Sequence, residues 1–385
     1  MDAAALQDAL RDRFGPGGTT VLVTAPGRVN LIGEHTDYHG GLVLPAAIDR
    51  RVMALGRRRS DDRVVLHSRS FTADHSFRLD EPMGPVQGWG RRAEGIVRTV
   101  LARIPGATGL EGVLDADLPV GGGLSSSAAS MAAVGELAAR LHGVTLDRLD
   151  FAKTLQRAEH EFAGVQCGLM DQLAILLGRK DHAVLIDCRS LTWDWVPLPS
   201  RWALVVTDTG VRHDLASSEY NLRQKECAKV VHQIAGRHPE VKSLREVTFE
   251  HLREAEASCD PVGLRRCRHV LTENDRVRAT CAALERGDGA ALGRLFAASH
   301  LSLRDDYQVS CRELDWMVEA AQSAPGLVAA RMTGGGFGGA CVNLVEQEQT
   351  AAFSAHVMEC YHALGGRGGQ AIVTGAADGV TALEV

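Results

Sequence analysis

Lysine is scarce in this chain of 385 residues: 42 are basic, but only Lys153, Lys180, Lys225, Lys229 and Lys242 are lysines. None lies in or beside a glycine-rich stretch, which excludes a Walker-type nucleotide site, whose lysine must reach the phosphates. A clustered basic face is missing as well. The net charge is -6, and the one basic run, Arg57-Arg58-Arg59, is followed at once by Asp61 and Asp62, so the composition excludes a nucleic-acid partner. The nine cysteines are scattered from Cys167 to Cys360 without a CxxC pair, which argues against a zinc site or redox dithiol and fits a reducing compartment. Nowhere do about eighteen apolar residues run together, and the N-terminus, with Asp2, Asp8 and Asp12 among alanines, lacks the basic start and apolar stretch of a signal peptide. The expectation is a cytoplasmic protein without a membrane partner.

What is present is enough apolar residue, 45% of the chain, to bury a sizeable core. The length favours two domains and leaves three open. Between Gly27 and Gly41 the chain reads GRVNLIGEHTDYHGG, which crowds Arg28, Glu34, His35 and Asp37 among glycines. A core strand is not written this way, because the run opens apolar (Val29, Leu31, Ile32) and closes in a polar, turn-like cluster. Such a cluster suits a ligand rich in hydroxyls or phosphates.

Periodicity predicts a short helix on Leu6, Leu10 and Phe14, then a strand over Thr19–Thr24. Strand-like runs follow at Leu42–Ile48, Arg51–Leu55 and Val64–His67, more weakly at Phe77–Leu79, then a helix on Ile96, Val100 and Ile104 and a strand at Gly112–Leu118. Helices are predicted over Ala128–Leu141 and Leu146–Phe162, and strands over Ala183–Asp187 and Ala203–Thr207. The second half carries helical patterns at Leu215–Ile234, Pro261–Arg286, Ala290–Leu301 and Arg312–Gln322, and returns to strands at Val328–Met332 and Ala340–Val345. Strands and helices mix without the regular alternation of a doubly wound sheet. Two α+β domains are expected, 1–195 and 196–385, with the Pro197- and Pro199-containing tract Leu191–Ser200 as the boundary.

Two glycine loops stand out. PVGGGLSSSAAS (119–130) places Gly121, Gly122, Gly123, Leu124, Ser125, Ser126 and Ser127 between a strand and a helix, an anion site in outline, with serine hydroxyls free to cap the helix or reach a metal ion. An ordinary glycine turn is the plainer reading; three glycines followed by three serines favour phosphate. MTGGGFGG (332–339) contains GxGxxG but runs on into a strand, not a helix, so it is no dinucleotide fingerprint. It reads equally as a structural hairpin and as a ligand contact.

Taken in order, EHTD, PVGGGLSSSA and GGGFGG resemble the three signature motifs of the GHMP small-molecule kinases. GRVNLIGEHTDY looks like the signature of the galactokinase family within that group, and CGLMDQ (167–172) and TDTGVRHDLASSEY (207–220) are similar to further segments of it. The resemblance spans Ala25 to at least Val345. It implies an α+β, two-domain GHMP kinase fold with the active site in the cleft between domains, and ATP-dependent phosphorylation of the C1 hydroxyl of galactose. The loop Gly121–Ser127 would then hold the ATP phosphates, with Ser127 and Glu159 as Mg²⁺ ligands. Asp171 would be the catalytic base, with Arg28 beside it to stabilise the transferred phosphoryl group. Glu34, His35, Thr36, Asp37, Gly168 and Tyr220 would bind the sugar. Plainer readings exist: Glu159 on a solvated helix face, Asp171 as the cap of a helix starting at Gln172, Arg28 as a surface charge, His35 as a satisfied turn histidine. His39 and Ala46-Ala47 depart from residues common in the family, at the pocket edge. Oligomeric state is not legible, and a monomer is compatible with the sequence.

Overall fold

The protein is represented by a computed structural model that describes residues 2–119, 122–212 and 216–385, and side chains at 216–218 are not described. Gly121 of the serine loop and His213, Asp214 and Leu215 therefore lie outside the described residues. The first long strand, Thr20–Asn30, shows how local sequence sets the fold: Val21 and Val23 alternate with half-buried neighbours, and from Ala25 onward every residue is buried. Its register against Pro45–Arg58 shifts between Pro26 and Arg28. A proline cannot donate to the ladder, so a strand accommodates it at an edge or a bulge. At Gly27 a Cβ would stand 2.4 Å from the Leu118 side chain and 2.8 Å from the Leu124 carbonyl, so only glycine lets the strand pass the serine loop. The shift turns Arg28 toward that loop.

Among the described residues the strands fall into sheets of six, four and three. The six-stranded sheet runs in the order Thr381–Glu384, Thr20–Asn30, Pro45–Arg58, Leu110–Ala116, Arg63–Ser68, Ala73–Arg78; the C-terminal strand pairs antiparallel with residues 21–24. Helices Gly88–Leu101 and Ser126–Leu141 pack against one another, the second also against the sheet. The four-stranded sheet is Leu327–Thr333, Ala340–Glu346, Trp202–Asp208, Gln370–Thr374. Its alternate residues serve two cores. Leu204, Val206, Val342 and Leu344 join the apolar cluster of the first sheet. Val205, Met332, Cys341 and Val345 join a second cluster with the helices of the C-terminal half. Apolar packing is thus continuous from one half to the other.

Several expectations are revised. Arg28 and Asn30 belong to a buried strand, so the motif is half core strand and half turn. The runs at 42–48 and 51–55 are Leu42–Val43 and one long strand, Pro45–Arg58, whose Asp49-Arg50-Arg51 stretch merely faces outward. The helix expected to reach Phe162 is α-helical only over Arg148–Ala158 and then widens into a π-helical turn, Glu159–Ala163, stopped by Gly164 at φ 74°. Within the tract 191–200, Thr192–Pro197 is an edge strand beside His182–Asp187, where a terminal proline is tolerated. Residues 381–384, expected in a second domain, are bonded into the first sheet. The helix considered from Gln172 begins two residues earlier, as Met170–Leu177, and helices Phe249–Ala255 and Thr350–Ala363 have no counterpart among the predicted elements. Among the described residues no helix is long and apolar enough to cross a membrane.

Candidate active site

The serine loop turns sharply before helix Ser126–Leu141: Gly123 has φ 73°, and Ser125, with φ 57°, occupies the left-handed region that a side chain enters at a cost. Arg28 is tied to this turn, its backbone N–H donating to the Leu124 carbonyl at 3.2 Å and its guanidinium to the Gly123 carbonyl. The rest of the guanidinium forks onto Asp171, Nε to Oδ1 at 2.8 Å and Nη2 to Oδ2 at 2.9 Å. Ser125 Oγ donates to the same carboxylate. Burial lowers the Arg28 pKa, but Asp171, and behind it Glu34 and Asp37, more than offset this and hold the group cationic. Arg28 is therefore no surface charge, being 5% exposed. Asp171 is the second residue of helix Met170–Leu177, not the cap before it, and the positive end of that helix favours a carboxylate.

Beyond Asp171 stand Ser127 and Glu159. The Ser127 hydroxyl is buried without a hydrogen-bond partner, though close enough to Glu159 to favour its charged form. Burial first, and the neighbouring Asp171 second, push the Glu159 carboxyl up; Gln172 Nε2 donates to it at 3.1 Å. Glu159 is thus a partly buried carboxylate at the start of the π-helical turn, not a solvated helix face. An orphaned hydroxyl beside an anion short of positive charge suits a hard divalent cation.

The opposite side is built by residues 30–38. Gly33 takes φ 101°, and a Cβ there would lie 2.6 Å from the Leu42 carbonyl. His35 also has positive φ, 62°, a strained position for a non-glycine residue. Glu34 accepts from Asn30 Nδ2 and from the Gly334 N–H, the latter at 2.6 Å. His35 is held neutral because burial lowers its pKa well below the ordinary value. Its Nδ1 is 2.7 Å from Tyr38 Oη, which is 3.0 Å from Tyr307 Oη, while its Nε2 is buried without a partner. Asp37 is pushed up to about 6 by burial, then by Asp171 and Glu34. A Cβ on Gly168 would stand 2.1 Å from Asp37 Oδ2, so glycine is required for the two segments to meet. The Tyr220 ring lies 5.2 Å from that of His35, and burial pushes its phenol up.

A cavity of about 350 Å³ joins the two sides, with Arg28, Asp171 and Glu159 on one wall, Glu34, His35, Asp37 and Tyr220 on the other, and Gly334–Gly336 between them. That is within the range of small-molecule sites. Ser126 and Ser127 face a second, smaller cavity of about 90 Å³ together with Phe71, Trp89 and Arg92. Thr36 is not brought to the larger cavity: its hydroxyl lies between the carbonyls of Gly33 (2.8 Å) and Leu42 (2.7 Å) and holds the turn. Residues the sequence reading missed include Cys167 and Met170, which line the cavity, and the Tyr38–Tyr307 pair behind His35. Cys167 and Met170 lie within the CGLMDQ segment; nothing in the sequence connects Tyr307 with residue 38.

Known proteins match most of the chain in sequence and fold. Family models match in three places: the galactokinase galactose-binding signature at residues 9–58, the GHMP kinases N terminal domain at 91–179 and the GHMP kinases C terminal at 281–362. The chain is 42% identical to the galactokinase of Chloroflexus aurantiacus over 99% of its own length and 98% of the relative's. It is 43% identical to the galactokinase of Homo sapiens, with 92% and 90% covered. Its fold superposes on the crystal structure of Lactococcus lactis galactokinase complexed with galactose with a TM-score of 0.91, at 32% identity, covering 98% of this chain and 99% of the other. A mevalonate kinase structure, at 15% identity and a TM-score of 0.64, shares the fold alone. Motifs, fold and long-range identity coincide, and the chain belongs to the galactokinase family of the GHMP kinases.

Proposed function

We propose that this galactokinase-family chain transfers the γ-phosphoryl group of ATP to the C1 hydroxyl of α-D-galactose, yielding α-D-galactose 1-phosphate and ADP, the entry step of galactose metabolism. The observation that carries the reading is the Arg28–Asp171 fork facing Glu34, His35 and Asp37 across one cavity. In this reading the sugar lies against Glu34, His35, Asp37, Gly168 and Tyr220. Carboxylates accept from hydroxyls, and a site built to bond one epimer's hydroxyls leaves buried polar groups unpaired with the other. Thr36 contributes by fixing the turn.

Asp171 takes the C1 hydroxyl proton as that oxygen approaches phosphorus. Arg28 orients the carboxylate and, from the same position, offsets charge on the phosphoryl group in flight; such transfers depend mainly on positioning and electrostatics. Gly122–Ser127 would cradle the phosphates at the helix N-terminus, with the base of ATP toward Phe71 and Trp89, whose parallel rings are 6.3 Å apart. Ser127 and Glu159 would hold Mg²⁺, which when bound neutralises phosphate charge. We place the protein in the cytosol, and assign the sugar motif and phosphate loop to an N-terminal domain (1–195) and the glycine loop to a C-terminal one (196–385), with residues 381–384 returning to the first sheet.

The test is ADP release with Mg-ATP and a panel of free sugars. Turnover with galactose well above glucose, arabinose and N-acetylgalactosamine is expected. Preference for another of these sugars overturns the substrate, and binding without any turnover overturns the enzyme.

A further inference from the structure

Arg331, near the end of strand Leu327–Thr333, is a fully buried guanidinium with 0% exposure. An unpaired charge in such surroundings is costly, so its partners matter. Nη1 donates to the Leu31 carbonyl at 2.8 Å and to that of Asn30 at 3.3 Å. Nε and Nη2 are buried and make no hydrogen bond; Nη2 instead stands 3.6 Å from Glu34 Oε1. Glu34 is itself 1% exposed. The following residues hold the same segment. Thr333 Oγ1 accepts from the Asn30 N–H at 3.2 Å and donates to the Asn30 carbonyl at 2.9 Å, and the Gly334 N–H reaches Glu34. One strand end of the C-terminal half thus grips residues 30–34 of the sugar motif.

We propose that Arg331 is a positioning residue of the sugar site, whose guanidinium keeps the Glu34 carboxylate available as an acceptor for sugar hydroxyls without touching the sugar itself. This rests on Glu34 being a sugar contact. Asn30 and Arg28 from the first strand, Asp37 from the following turn and the Gly334 N–H contribute to the charge balance of the Glu34 carboxylate, whereas His269 Nε2 lies 3.1 Å from the backbone carbonyl oxygen of Glu34. Burial pushes the Glu34 carboxyl up, and Arg331 leads the groups that pull it back. Glu273 beneath it is already spoken for. It accepts from the Gly33 N–H and Ser299 and pairs with Arg276 at 2.6 Å; burial pushes it up, but Arg276, His269 and Arg331 hold it at about 2. Among the described residues, no second side-chain cation stands within 4 Å of Glu34.

The experiment compares wild type with R331M, R331K, E34Q and R331M/E34Q, measuring kcat and both KM values between about pH 6 and 9, above the range in which an ordinary carboxylate titrates. The E34Q background separates Glu34 from the histidines and cysteines that titrate in the same window. R331M is expected to raise the galactose KM about tenfold or more, the effect of losing a charged partner, with the ATP KM within about twofold. Its galactose KM should climb further as pH falls, because Glu34 without its cation takes up a proton; R331K should recover part of the loss. On the E34Q background R331M should add little, as expected when one residue acts through the other. An unchanged galactose KM overturns the proposal. So does a loss shared equally with ATP and flat with pH, or a loss fully additive with E34Q. If R331M does not fold, R331K carries the same test: a galactose-selective, pH-dependent rise supports the proposal and a flat profile overturns it. Absence of galactose turnover in wild type would instead sink the functional reading.

Discussion

Arg28 and Asp171 on one wall of the cavity satisfy each other, while Glu34 and Asp37 on the other wall do not. The Arg28–Asp171 fork is bidentate, anchored to two loop carbonyls and partly open, with Asp171 25% exposed. On the opposite wall, Asp37 is buried with no cation bonded to it among the described residues, and the nearest cation to Glu34, Arg331, is 3.6 Å away. In the proposed reaction the carboxylate that takes the proton must be oriented before substrate arrives, and the fork fixes that orientation. Acceptors for hydroxyls can be left short of partners, because unmet hydrogen-bonding capacity is what discriminates one sugar from its epimer. The cost falls on folding stability, and that is where the two walls should separate experimentally.

The largest effect should come from the first wall. Asp171→Asn is expected to lower kcat by roughly 10² to 10⁴, the usual worth of general-base catalysis, while galactose affinity by calorimetry stays within a few fold. Near-normal turnover would remove the base assignment and with it the contrast. Next, Gly168→Ala forces a methyl against Asp37 Oδ2 at 2.1 Å. Overpacking of this kind costs about 1–3 kcal/mol, so the galactose KM should rise about tenfold or more with the ATP KM little changed. Equal losses for both substrates would show that the walls do not act separately.

Asp37→Asn tests the stability side. The folded pKa of about 6 lies above the 3.8 of an unperturbed aspartate, so the native state binds the extra proton in that window. The penalty of the buried charge grows as pH rises through it and is complete above about 6. The variant should therefore be more stable than wild type at pH near 8, by on the order of 2 kcal/mol, and no more stable near pH 4, while binding galactose less well. A thermal-melt series showing equal shifts at both pH values would contradict this. Smallest is Tyr307→Phe, which removes the hydroxyl 3.0 Å from Tyr38 and 3.3 Å from His39 Nε2. One neutral hydrogen bond is worth about 1 kcal/mol, so the galactose KM should rise only a few fold with kcat preserved.

The signature residues were legible because each local pattern breaks a rule: charges inside an apolar run at 28–37, small residues piled up at 121–127, a GxGxxG that leads into a strand. Their burial was not. Glu34 is buried beside Arg331, a residue far along the chain in a strand whose last five residues are all buried, and local sequence does not show that pairing. Glu159 reads as part of a solvated face because Arg157, His160 and Glu161 surround it on a predicted helix, and a π-helical turn leaves no composition signal. Thr36 resembled its neighbours in type, yet its hydroxyl is committed to backbone carbonyls. The prolines at 197 and 199 fit both a linker and an edge strand, and only pairing with His182–Asp187 decides between them.

The pairing of Thr381–Glu384 with residues 21–24 has a consequence for how the molecule is made. Val385 N–H donates to the Thr20 carbonyl at 2.9 Å, so the strand that leads into Arg28 is flanked by residues translated more than 350 positions later. Until those residues leave the ribosome, that strand has an open hydrogen-bonding edge, the feature that invites intermolecular pairing. A chain shortened by its last five residues should accumulate as aggregate in proportion to expression rate, although every residue of the cavity is present.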